Sequence, residues 1–238
     1  MSFFDQSSFT IRCEWGDHAL TQLAPSEVVV IVDVLSFTTC VEIAVSRGAA
    51  VLPDRWHDAS AADFAKTQQT ELAGRRGDPS GRFFLSPVSV LNVTQGLRLV
   101  LPSPNGSALA FQASSSGSSV IAACLRNASA VGEWLRATAR TVTVVPAGER
   151  WPDGAVLSRL TGPFSPEAKA AIAAFEAART DLPATLRQTA GGCELAERGH
   201  QRDVELAAEL DVSQTIPILR NGMFLHEKTV KEPLTLPP

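Results

Sequence analysis

A single carboxylate follows the most apolar run of the chain. In EVVVIVDVLSFTTCVEIAVSRGA, residues 27–49, five aliphatic residues from Val28 to Val32 lead to Asp33, and the hydroxyls of Ser36, Thr38 and Thr39 follow. An unalternating β-branched run is the pattern of a strand buried on both faces. A carboxylate inside such a core is costly unless it is paired, hydrogen-bonded or metal-bound. At the C-terminal end of the strand it would instead face the crevice where open α/β sheets hold ligands. The simpler alternative is that a hydroxyl caps the next helix and Asp33 satisfies a turn.

Three further stretches carry unusual residue choices. LAGRRGDPSGRFFLSP, residues 72–87, sets Arg75 and Arg76 among glycines and prolines. PSPNGSALA, residues 102–110, places Asn105, Gly106 and Ser107 in a tight turn that opens a helix. VVPAGERWPDG, residues 144–154, puts Gly148 and Glu149 after a buried strand. If all four follow parallel strands, their loops share one edge and line one crevice.

The chemistry these residues suit is phosphate handling. A glycine turn into a helix lets backbone N–H groups approach an anion. Arginine forks hold phosphate or sulfonate oxygens at two points. Asp33 and Glu149 are hard oxygen ligands suited to Mg2+, which would neutralise a phosphoryl group. Thr38, Thr39 and Gly148 would complete the substrate contacts. Each feature also has a plain structural explanation: the Asn-Gly-Ser turn could only cap a helix, and the arginine pair could only be a solvated loop.

Rival chemistries lack their signatures. The four histidines stand apart, and no GxSxG, GxxxxGK[ST] or GxGxxG motif is present. Cys13, Cys40, Cys124 and Cys193 form no CxxC pair, which suits reduced thiols. A net charge of −4 argues against a nucleic-acid partner, and no apolar run of spanning length exists. The opening MSFFDQSSFTIRCEWG has no basic leader with an apolar core, so a cytoplasmic location is expected.

The elements that must position these residues alternate. VVVIVDV, AAVLP, ELAG, LRLVLPS, SVIAAC and TVTVVPAG read as strands, with helices after most of them. This predicts an α/β fold: a mainly parallel sheet covered by helices on both faces. The last third changes to a helical region with a hairpin turning on Asn221-Gly222. We expect one α/β domain over 1–238, with 165–238 able to form a helical subdomain packed on the sheet. Strand edges could also pair into a homo-oligomer.

Taken in order, VVVIVDVLSFTTCVEIAVSRGA, LAGRRG with LSP, LPSPNGSALA, AACLRNASAVG, VVPAGERWPDG, SPEAKAAIAAF and GHQRDVELAAELDVSQTIPIL resemble the 2-phosphosulfolactate phosphatase family. The resemblance implies a magnesium-dependent phosphatase that converts 2-phospho-3-sulfolactate to 3-sulfolactate and phosphate, on the route to coenzyme M. Carried onto this chain, it implies Asp33 and Glu149 at the metal, Asn105-Gly106 at the phosphate, and the Arg75/Arg76 loop on the anionic substrate. Glu149 could then activate a water, or Asp33 could itself be the nucleophile. The chain departs from the family pattern at Ser36, where many members carry arginine, and at Arg75, where an acidic residue is common. It also passes from WPDG to AVLSRL without the longer acidic segment that usually follows. These departures leave an alternative open: a non-catalytic homologue that binds small anions.

Overall fold

Alternate residues of the run Val28–Val32 belong to two different cores. Val28, Val30 and Val32 pack in one, and Val29 and Ile31 in the other. This is why the run does not alternate: every side chain is buried, each contributing about 1.5–3 kcal/mol. The computed structural model describes residues 4–54, 59–76, 81–148 and 154–229. Among these, nine strands form one sheet: β1 Ile11–Cys13, β2 Val28–Val32, β3 Ala50–Asp54, β4 Glu71–Leu72, β5 Arg98–Pro102, β6 Ser119–Ala123, β7 Val142–Pro146, β8 Pro217–Arg220 and β9 Met223–His226. Helices cover both faces. Residues of helices 128–138, 166–178 and 201–207 enter the first core, and residues of helices 37–46 and 106–113 enter the second.

The spatial order is β1-β7-β2-β6-β8-β9-β3-β5-β4. β1, β7, β2 and β6 run parallel to one another, as do β3, β5 and β4. Between these groups lies the expected hairpin. It turns on Asn221-Gly222, both at positive φ, as a tight two-residue turn requires. It does not pack on the sheet as a cap. β8 pairs with β6 through Ile218 and Ile121, and β9 pairs with β3 through Phe224 and Val51. Both pairings are antiparallel, as is β8 with β9, so the β3-β5-β4 group runs against the direction of β2.

In a flat sheet the C-terminal ends of β2 and β5 would therefore lie on opposite edges, with the two strands about 24 Å apart sideways at the usual strand spacing. They meet because the sheet curls. The second core draws residues from β2, β6, β8, β9, β3 and β5, and the helix Phe37–Ser46 touches β3, β6, β8 and β9. Phe37 of that helix meets Phe224 of the hairpin edge-on, with ring centres 6.3 Å apart. The helix ends as its sequence predicts, with Gly48 at φ 82° and its N–H bonded to the Val45 carbonyl.

The hairpin thus closes the sheet, and its turn is directly testable. Gly222 sits at φ 77°, where a β-branched side chain is strained. Gly222→Val is expected to cost about 1–2 kcal/mol, read as a lower urea midpoint with unchanged slope. An unchanged midpoint would show that the turn does not hold the two halves together. Among the described residues, no helix is long and apolar enough to cross a membrane.

Candidate active site

Asp33 ends β2 and is 2 % exposed. Its backbone is clamped by the next helix: Thr38 Oγ1 accepts from the Asp33 N–H and donates to the Asp33 carbonyl, each at 2.9 Å. Thr39 Oγ1 donates to the Val34 carbonyl at 2.8 Å. Both threonines are fully buried, so their hydroxyls shape the strand-to-helix turn. Ser36 occupies the N-cap position but makes no side-chain capping bond.

The carboxylate of Asp33 has two unlike oxygens. Oδ2 accepts from the Gly106 N–H at 2.9 Å. Oδ1 is buried with no hydrogen-bond partner, and the Gly148 backbone lies against it, since a Cβ built there would stand 3.5 Å from that oxygen. Burial raises the Asp33 carboxyl to about 6, against the pull of the Gly106 and Phe37 amides. A buried oxygen without a donor is stabilised by a proton or a cation. This donor fits Mg2+, which commonly takes one or two carboxylates and keeps several waters. Among the described residues no group of three or more His, Cys, Asp or Glu could hold a metal. The other expected ligand, Glu149, lies outside the described residues.

Gly106 begins the helix Gly106–Ala113, which follows β5. Its lack of a side chain is required by contact. A Cβ there would stand 2.7 Å from Asp33 Oδ2 and 2.7 Å from Phe37 Cδ1. Asn105 is exposed in the N-cap position and makes no side-chain capping bond, so the plain capping explanation does not hold for it. Ser107 is buried, and its hydroxyl joins the Asp54 N–H and carbonyl at 2.7 and 2.8 Å, tying the end of β3 to this helix.

Among the described residues, several of those singled out in the sequence fall on two cavities. Leu35, Ser36, Gly74, Arg75, Arg76 and Arg198 help line a cavity of about 480 Å³. Trp15, Asn105, Gln112 and Ala147 help line another of about 440 Å³. Ser36 and Arg75 therefore share one wall. Arg75 is exposed, while Arg76 is partly buried and donates to the Leu85 carbonyl.

Two features escaped sequence reasoning. The helix Ala190–Glu197 contributes Gly191, Glu194 and Leu195 to the larger cavity. Asp203, 1 % exposed, lies 3.4 Å from Arg76. Its signal was available: Asp203 stands three and four residues before the buried Leu206 and Ala207, on the inward face of its helix. Cys40 and Cys124 are buried near these groups. Burial pushes the Cys40 thiol well above its usual range and Cys124 to about 12, so both are protonated packing residues.

The family model described as 2-phosphosulpholactate phosphatase matches residues 17–222. A protein of Deinococcus radiodurans named "Probable 2-phosphosulfolactate phosphatase" is 31 % identical over 213 residues, covering 82 % of this chain and 89 % of that protein. The matched span takes in β2 through the hairpin turn, and the chain belongs to the 2-phosphosulpholactate phosphatase family, a family of phosphoric monoester hydrolases.

Proposed function

We propose that the protein hydrolyses a small, multiply anionic phosphate ester with Mg2+, and that 2-phospho-3-sulfolactate is its substrate. The observation that carries this reading is the partnerless Oδ1 of Asp33, just after β2, with the Gly148 backbone against it and Gly106 bonded to the other oxygen. Asp33 and Glu149 would hold the metal. When bound, Mg2+ supplies positive charge that offsets charge developing on the phosphoryl oxygens.

The chain's own groups do the rest. Gly106 fixes Oδ2, leaving only Oδ1 to face a cation. At the Asn105–Ser107 turn the Gly106 N–H is spent on Asp33 Oδ2 and the Asn105 N–H on Ser103 Oγ, so the exposed Asn105 side chain is the group that suits the phosphate oxygens. Arg75 and Arg76 suit the second anionic group of the ester. Thr38 holds the Asp33 backbone and Thr39 the neighbouring Val34 carbonyl, and Gly148 brings its backbone against Oδ1 without a side chain between. In the reaction, a water oxygen bonds to phosphorus as the ester P–O bond breaks. The water proton passes to a base, for which Glu149 is the candidate, and the departing alkoxide takes up a proton. The substrate is a small molecule, and we place the reaction in the cytoplasm.

The experiment is phosphate release from a panel of esters, including 2-phospho-3-sulfolactate and 2-phospholactate, with Mg2+ and with EDTA. Release that requires Mg2+ and favours the sulfonated ester is expected. No release from any ester by folded protein would leave the anion-binding homologue as the better description.

A further inference from the structure

Asp203 is a carboxylate only 1 % exposed that lies behind an arginine of the cavity wall. It sits in the helix Gln201–Ala207, far along the chain from the arginine loop. Its Oδ1 accepts from Ser86 Oγ at 2.7 Å and from the Val88 N–H at 2.9 Å. Its Oδ2 accepts no hydrogen bond and lies 3.4 Å from Arg76 Nη2. Arg76 in turn donates to the Leu85 carbonyl, and its side chain is 21 % exposed in the wall of the 480 Å³ cavity.

These contacts divide the work between the two oxygens. Oδ1 is locked by neutral donors, which fixes the carboxylate whether or not Arg76 is present. Oδ2 is left to the guanidinium alone. A rigid buried anion behind a partly exposed arginine restrains the side chain without covering its outer N–H groups, because the fork has five donors. The carboxylate does not reach the cavity itself, so it can act on a ligand only through Arg76.

We propose that Asp203 is a positioning residue for anion binding: it holds Arg76 in the cavity wall, so that the C-terminal helix 201–207 sets the affinity of a site built by the loop after β4. This rests on the reading of that cavity as the place where the substrate's second anionic group lies. Pre-setting an arginine lowers the cost of ordering it at each binding event. Asp203 therefore governs affinity and leaves the bond-breaking step alone.

The test is a double-mutant cycle on the full chain with Asp203→Asn, Arg76→Gln and both together. Asn at 203 keeps the acceptor for Ser86 and Val88, and the double variant leaves no unpaired buried charge, so at least one arm folds. Two readouts are taken: KM and kcat for 2-phospholactate, and the Kd of phosphonoacetate, a hydrolysis-resistant dianion, by calorimetry. Asp203→Asn is expected to raise KM and Kd about tenfold with kcat within about twofold, a change that vanishes when Arg76 is already Gln. An unchanged KM and Kd, a tighter Kd, or an equal effect in the Arg76→Gln background would overturn the proposal, as would a wild type that binds no phosphonoacetate. If phosphonoacetate binding follows the cycle while no ester is hydrolysed, the phosphatase reading fails and the positioning role of Asp203 stands.

Discussion

Asp33→Asn is expected to abolish phosphate release and, at the same time, to make the metal-free protein more stable. The activity side follows from the proposed role. Losing the charge that holds a cation worth several kcal/mol in the transition state lowers kcat/KM on the order of 10³-fold. The stability side follows from burial. The carboxyl titrates at about 6 in the folded protein against an ordinary value of 3.8, so the folded state binds more protons between those values. Stability therefore falls as pH rises through that window, and above it the ionised group costs about 3 kcal/mol. Asparagine removes the charge but brings an amide donor to the place of the partnerless oxygen. We expect a net gain of about 2 kcal/mol at pH 7.5, a rise in Tm of about 5 °C. The gain should disappear below pH ~4, where the carboxyl is neutral in both states. Added Mg2+ should raise the Tm of the wild type and leave that of the variant unchanged. Thermal melts at two pH values, with and without Mg2+, check every part. A variant that is inactive and destabilised at both would mean that Asp33 is a structural carboxylate.

Gly106→Ala carries the second large effect, and it acts by crowding alone. Its backbone is not at positive φ, so alanine would be acceptable there in isolation. The added Cβ, however, would meet Asp33 Oδ2 and Phe37 Cδ1 at 2.7 Å and Asp33 Cβ at 2.8 Å. Oδ2 ends a short, buried side chain whose Cβ is also met, and Phe37 is fully buried against the hairpin. The carboxylate must move, and the bond to the Gly106 N–H is lost with it. A misplacement approaching 1 Å costs about 10²-fold in kcat. Overpacking should remove about 1–3 kcal/mol of stability. Steady-state assays with a urea titration separate the two. Full activity in Gly106→Ala would show that the carboxylate need not sit where the glycine holds it.

Much of this was legible in the chain. The unalternating Val28–Val32 run, the strand-helix alternation and the Asn221-Gly222 turn each have one strong local cause, and the structure forms those elements where the sequence predicts them. The partners of the hairpin were not legible. Pro217 and Arg220 give β8 the look of an edge strand, yet it lies mid-sheet, because pairing depends on contacts such as Ile218 with Ile121, ninety-odd positions away. That insertion reverses the β3-β5-β4 group, so the strand ends meet through curvature rather than along one parallel edge.

Within the site, the residue types were readable but their division of labour was not. Thr38, Thr39 and Ser107 look like ligand hydroxyls in sequence, yet each is spent on backbone groups of the adjoining turn or strand. Arg76 looks like a solvated charge, yet it faces a buried carboxylate from a distant helix. Gly148 gave no local signal beyond being a glycine after a strand, and its closeness to Asp33 emerges only from the parallel pairing of β2 with β7.

The most direct test is anomalous diffraction at the manganese edge from crystals grown with Mn2+, standing in for Mg2+, and inorganic phosphate. The account predicts one strong peak beside Asp33 Oδ1, with phosphate against the Asn105–Ser107 turn. A metal bound elsewhere, with Asp33 Oδ1 still without a partner, would contradict it.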